Sequence, residues 1–99
     1  MAENENDLTG CLILPAVADL PFAATLKAQI VEGLAVGKSM SIDGSGVQRI
    51  SSPCLQVLVA GMNAFTASGA PFVIVGPSSA LLETITTLGL SNALGLGEA

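Results

Sequence analysis

Three times along this chain a short apolar or alternating run gives way to a stretch whose apolar residues recur every three or four positions. Side chains that repeat every second residue belong to an extended strand, and those that repeat at about 3.6 residues belong to a helix. The alternation therefore restricts the chain to strands and helices in turn. Cys11-Leu12-Ile13-Leu14, stopped by Pro15, reads as a buried strand. Phe22, Leu26, Ile30 and Leu34, with Val31 beside them, form one face of an amphipathic helix from Asp19 to Ala35. Asp19 suits its N-cap, Pro21 falls in its first turn, and Gly33 and Gly37 mark its end. Ser39 to Asp43 alternates as a strand with one buried face, and Gly44-Ser45-Gly46 breaks it. Val47 and Ile50 then point inward from an irregular connection. Ser52 caps a second helix with Pro53 at its first position, and Leu55, Leu58, Val59, Met62 and Phe65 form its buried stripe up to Ser68-Gly69. Pro71 to Gly76 is a continuous apolar run between breakers, the pattern of a central strand buried on both faces. Pro77-Ser78-Ser79 opens a third helix that buries Leu81, Ile85 and Leu88, and Gly89 closes it before a last turn or short helix over Leu90 to Leu96. Strand, helix, strand, helix, strand, helix predicts an α/β domain with right-handed crossovers.

With 99 residues there is room for a single domain. Its core must be aliphatic, since 51% of the residues are hydrophobic and only 3% aromatic. Residues 1–9 carry no apolar period and are expected to form a flexible acidic tail, leaving 10–99 as the domain, with order beginning at Gly10. The apolar stretches are interrupted by Lys27, Glu32, Asp43, Arg49, Gln56, Asn63 and Glu83, so none reaches the roughly 20 residues of a spanning helix. The acidic start is wrong for a secretory or transit peptide, which gives a cytoplasmic expectation.

Several chemistries are excluded by residue type. There is no His, hence no imidazole base, His-containing triad or His metal ligand. Three basic residues (Lys27, Lys38, Arg49) face eight acidic ones, a net charge of −5, which repels nucleic acid and anionic membrane alike. Cys11 and Cys54 stand far apart among apolar neighbours and read as buried structural thiols, with neither zinc-site nor redox spacing. Gly37-Lys38-Ser39 has the ending of a phosphate-binding loop, yet that motif needs glycine where Glu32 stands, and a strand before it rather than a helix. Gly44-Ser45-Gly46 lacks the third glycine of a dinucleotide fingerprint, since Arg49 holds that position; Gly95-Leu96-Gly97 is terminal punctuation. No catalytic set, metal set or cofactor is implied, and a binding or switching module is the expected class. A hydrolase using a free Ser would need a base beside it, and a small-molecule sensor would want a more aromatic pocket.

The segment from Val47 to Leu58 carries the most information. It places Ser51 and Ser52 at the positive end of a helix, where a phosphate would meet free N–H groups and would add a charge of about −1.5 to −2. Ser78 and Ser79 stand in the same local chemistry before the third helix, so a cap alone does not distinguish a modified serine from a structural one. Asp43 ends a strand, the place where open α/β sheets put ligand and partner surfaces. A hydrogen bond to its own loop is the structural alternative.

Four pieces, in this order and at this spacing, resemble the STAS domain of anti-sigma factor antagonists and sulfate transporters. They are Ser41-Ile42-Asp43-Gly44-Ser45, the segment Val47 to Leu58, Gly69 to Ser78, and Leu88-Gly89-Leu90. The similarity runs from about Leu12 to Leu94 and implies a single domain with a four- or five-stranded mixed sheet and helices packed against it. It also implies a non-catalytic interaction module that docks to an ATP-handling partner. In one branch that partner is an anti-sigma kinase, which phosphorylates a Ser or Thr at the helix start. There the family pattern resembles Asp-Ser-Ser-Gly-Leu. Matching Leu55 to its Leu puts Pro53 on the usual acceptor, Ser52 on the first Ser and Ser51 on the Asp. The phosphoacceptor candidates are then Ser52 and Ser51, and the implied docking residues are Asp43, Ser45, Ser51, Ser52, Pro53 and Gln56. A second branch, similar to Asp-Thr-Ala-Gly-Leu, comprises small STAS subunits of bacterial phospholipid-transport systems, which bind an ABC ATPase without phosphorylation. A third is associated with chemotaxis operons and their histidine kinases. Charge and the interrupted apolar runs, rather than the resemblance, give the expectation of no nucleic-acid binding and no direct membrane insertion.

Overall fold

The computed structural model describes residues 11–37 and 39–96, and in them the three strand–helix pairs follow one another as their periodicities require. The expected tail over residues 1–9, the expected start at Gly10, and Lys38 and Gly97 of the glycine motifs lie outside the described residues. Strand β1 (Cys11–Ile13) precedes a two-residue β2 (Val17–Ala18) and helix α1 (Leu20–Val36). Strand β3 (Met40–Asp43) leads through the glycine turn to β4 (Arg49–Ile50) and α2 (Ser52–Ser68). Strand β5 (Phe72–Val75) and α3 (Ser79–Thr87) complete the elements, and Leu90 to Leu96 wraps in turns that bury Leu94.

The five strands divide into two groups. β3 lies between β1 and β5, with Ile42 opposite both Leu12 and Ile74. β2 and β4 form a separate ladder, Val17 opposite Arg49 and Ala18 opposite Ile50. Every pairing among the described strands is parallel, which the intervening helices permit. One face of the larger sheet sends Leu12, Met40, Ile42, Phe72 and Ile74 into a core shared with Leu26 and Ile30 of α1 and Leu55, Leu58 and Phe65 of α2. Phe65 and Phe72 meet at 5.2 Å between ring centroids, the helix-to-sheet contact of two of the chain's three aromatic rings.

Several expectations are corrected. β1 and β5 bury one face only: Ile13 is 72%, Val73 52% and Val75 47% exposed. Cys11 is exposed on that same open face, while Cys54 is buried as expected. A run of β-branched residues fixes an extended backbone whichever face is wet, so a continuous apolar run does not by itself report two-sided burial. Val31 (53% exposed) and Leu88 (48% exposed) stand off the buried faces expected to hold them. The N-cap of α2 is Ser51, one residue earlier than expected, so Ser52 is the first helical residue and Pro53 the second. Gly37, in the left-handed region at φ 80°, caps α1, but Gly33 is a packing position inside that helix, with Met40 Cε where a Cβ would stand. No described helix is long and apolar enough to cross a membrane.

Candidate functional site

The start of α2 is fixed from both sides. Ser51 follows β4 directly, and its N–H donates to Ala18 O of β2 at 2.8 Å. Its own carbonyl accepts from Leu55 N–H at 3.1 Å and so begins the helix. Cys54 is buried, and its thiol donates to Asp19 O at 3.2 Å, tying the start of α2 to the cap of α1. Pro53 removes one of the donors that a first turn ordinarily presents. The two hydroxyls differ sharply. Ser51 Oγ is buried and has no hydrogen-bond partner, nor does it cap its helix. Ser52 is exposed. It lines a hollow of about 440 Å³ together with Glu83, Thr84 and Thr87 of α3 and with Leu88, the residue after that helix.

The loop after β3 is held by a different set of bonds. Asp43 Oδ1 accepts from Ser45 N–H at 2.9 Å. Hydrogen bonds from Ser45, its backbone N–H first and its side chain second, hold the Asp43 carboxyl below its ordinary 3.8. Gly44 O accepts from Ser78 N–H at 3.0 Å, and Ser78 Oγ donates to Val47 O at 2.6 Å while accepting from Leu81 N–H at 3.1 Å. Ser78 thus caps α3 and at the same time clamps the 43–47 loop, a role with no local sequence signal because Val47 is 31 residues away.

The residues singled out from sequence are not gathered into one cavity. Asp43 and Ser45 line a second hollow, of about 440 Å³, with Cys11, Ser41 and Val75 of the open sheet face. Ser51 lines a third, of about 320 Å³, with Asp19 and Arg49. Gln56 lies in an apolar groove of about 380 Å³ between α1 and α2, beside Lys27 and Val31. Glu83 and Thr87 were not foreseen. They come beside Ser52 only through the placement of α3 against β4, the strand that leads into α2, a tertiary arrangement that no spacing encodes. Among the described residues no group of three His, Cys, Asp or Glu could hold a metal ion. What the surface offers is hydroxyls, single charges and helix ends, which is chemistry for recognition.

A family model described as "Mlab, STAS domain" matches residues 1–97. The chain belongs to the STAS family. The α/β arrangement of five strands and three helices is that of a STAS domain, as the resemblance of the 41–45, 47–58 and 69–78 segments implied. STAS domains are regulatory modules that mediate protein–protein interaction and are generally without catalytic activity. A search of the curated proteins gives no match.

Proposed function

We propose that this STAS domain is a non-catalytic accessory subunit that docks, with Ser52 unmodified, on the ATPase of a transport system through the exposed start of α2. The observation that carries the reading is the pair Ser52–Pro53 in the first turn of a 17-residue helix. It offers one accessible hydroxyl followed by a residue that no kinase can phosphorylate, at the place where the resemblance puts the usual acceptor. This is closer to the hydroxyl-then-small pattern of the transport branch than to the paired serines of the anti-sigma antagonists. Asp43 and Ser45, held rigid by their own hydrogen bonds, and Gln56, one turn along α2, are assigned to the rim of the docking face.

The second reading is a phospho-switch. It is supported by the exposure of Ser52 at a helix N-terminus, where free N–H groups and the dipole favour an added phosphate. Ser51, with its oxygen buried, supports it less. Co-purification from the native cell with intact-mass measurement separates the two. An ATP-binding-cassette ATPase held by a chain without phosphate supports the accessory subunit. A kinase that releases the chain once the mass of one phosphate appears supports the switch. Binding of the ATPase that survives both Ser52→Asp and Gln56→Arg removes the proposed face from either account.

A further inference from the structure

We propose that the hollow between the start of α2 and the end of α3 receives a basic side chain, a lysine or arginine, of the docked partner. The inference rests on the docking reading above and names the chemistry of the partner group. The hollow of about 440 Å³ is lined by Ser52, Glu83, Thr84, Thr87 and Leu88. Glu83 is the one ionisable side chain among them. The described cations lie elsewhere, Lys27 along the α1–α2 groove and Arg49 beside β2.

Two helix ends meet here and carry opposite partial charges. α2 begins at Ser52, with about half a positive charge. α3 ends at Thr87, with about half a negative charge and no basic residue in its last turn to compensate it. The two partial charges offset, so the full charge of Glu83 sets the sign of the hollow. The hydroxyls favour the same guest. Thr84 Oγ1 already donates to Ala80 O at 3.0 Å, which leaves it only acceptor capacity. Leu88, half exposed after the last helical residue, supplies apolar surface for the methylene stem of a long basic side chain. An acidic or wholly apolar guest would leave Glu83 repelled or buried without a partner.

The test uses the full chain and two measurements. In the first, ¹⁵N amide shifts are followed as N-acetyl-arginine methylamide is added, with the citrulline analogue, equal in shape and uncharged, as control. Saturable shifts confined to Ser52 and residues 83–88, weakened about two- to fivefold both with citrulline and in Glu83→Gln, are expected. Equal responses to both probes, or an unchanged response in Glu83→Gln, overturn the inference. In the second, affinity for the co-purified ATPase is measured for Glu83→Gln and Glu83→Lys, both at an exposed position. Weakening on the order of tenfold for the lysine variant, with a reduced salt dependence for the glutamine variant, is expected. An ATPase complex that Gln56→Arg, outside the hollow, weakens and Glu83→Lys leaves unchanged overturns this inference while the docking reading stands. The absence of any ATPase complex with the native chain overturns the docking reading and this inference with it.

Discussion

Two serines that look alike in the sequence do opposite things in the structure. Ser51 and Ser78 both precede a helix with extended backbone, at ψ 158° and 163°. Ser78 Oγ satisfies two backbone groups, whereas Ser51 Oγ is buried with none. An N-cap serine ordinarily contributes about 1 kcal/mol, and a buried unpaired hydroxyl costs about 1–3 kcal/mol. Ser78→Ala is therefore expected to lower stability by about 1–2 kcal/mol, and Ser51→Ala to leave it unchanged or raise it by up to about 1 kcal/mol. Urea unfolding of the pair checks this, and equal losses in both would refute it. Asp43 gives a prediction in pH. Its folded carboxyl titrates below the ordinary 3.8 because Ser45 donates to the charged form. The unfolded chain then takes up the proton first as pH falls. The contribution of Asp43 is complete above 3.8 and is lost as pH drops through the lower folded value. A carboxyl ¹³C titration should place the midpoint below 3.8, and Ser45→Ala should raise it only in part, since the backbone N–H remains the larger cause.

The same contrast between like residues governs how the helices pack. Gly33 of α1 and Gly61 of α2 both lie inside helices, where alanine would gain about 1 kcal/mol of propensity. A Cβ at Gly33 would meet Met40 Cε, the far end of a flexible side chain that swings aside. A Cβ at Gly61 would stand 3.1 Å from two carbons of Ile30 and 3.2 Å from the Phe72 ring, held between α1 and the sheet. Gly33→Ala is expected to be neutral or stabilising. Gly61→Ala is expected to lose about 1–2 kcal/mol net, as overpacking of about 1–3 kcal/mol exceeds the propensity gain. Thermal melts should place Gly61→Ala below the native chain and Gly33→Ala at or above it. These glycines also mark how far the chain could be read from its letters. The positions of all three helices and of β3 follow from periodicity and breakers, which act within a few residues. The function of Gly33 did not, because a glycine at the end of a helix and one under a neighbouring methionine are the same letter. The β2–β4 ladder was likewise invisible, since two-residue strands have no period. It nevertheless sets where α2 begins, through the bond from Ser51 to Ala18. Ser52 was identifiable as a first-turn hydroxyl. Its neighbours Glu83 and Thr87 were not, for they depend on how α3 settles against β4.

Taken as a whole, the molecule is asymmetric, with its core on one side of the larger sheet and an apolar face exposed on the other. Strand register places Cys11, Ser41 and Val73 in one row of that open face and Ile13, Asp43 and Val75 in the next. Exposed β-branched residues on sheet edges favour pairing between molecules, and natural sheets oppose this with a charge set among them. Asp43 holds that position between Ile13 and Val75, and its lowered titration keeps it charged further into acid than an ordinary carboxyl. The net charge of −5 adds a longer-range repulsion between copies that salt screens. Local and global charge can then be separated by experiment. Asp43→Asn retains an acceptor for Ser45 N–H and so preserves the loop, while removing the charge from the face. It should raise concentration-dependent light scattering, most strongly at high salt where the global repulsion is weakest. The double variant Ile13→Thr/Val73→Thr should lower scattering at every salt concentration with little change in melting temperature, because both side chains lie outside the core. If scattering from Asp43→Asn matched that of the native chain at high salt, the charge would have no part in keeping the open face apart from its copies. Asp43 would then serve only to hold its own turn.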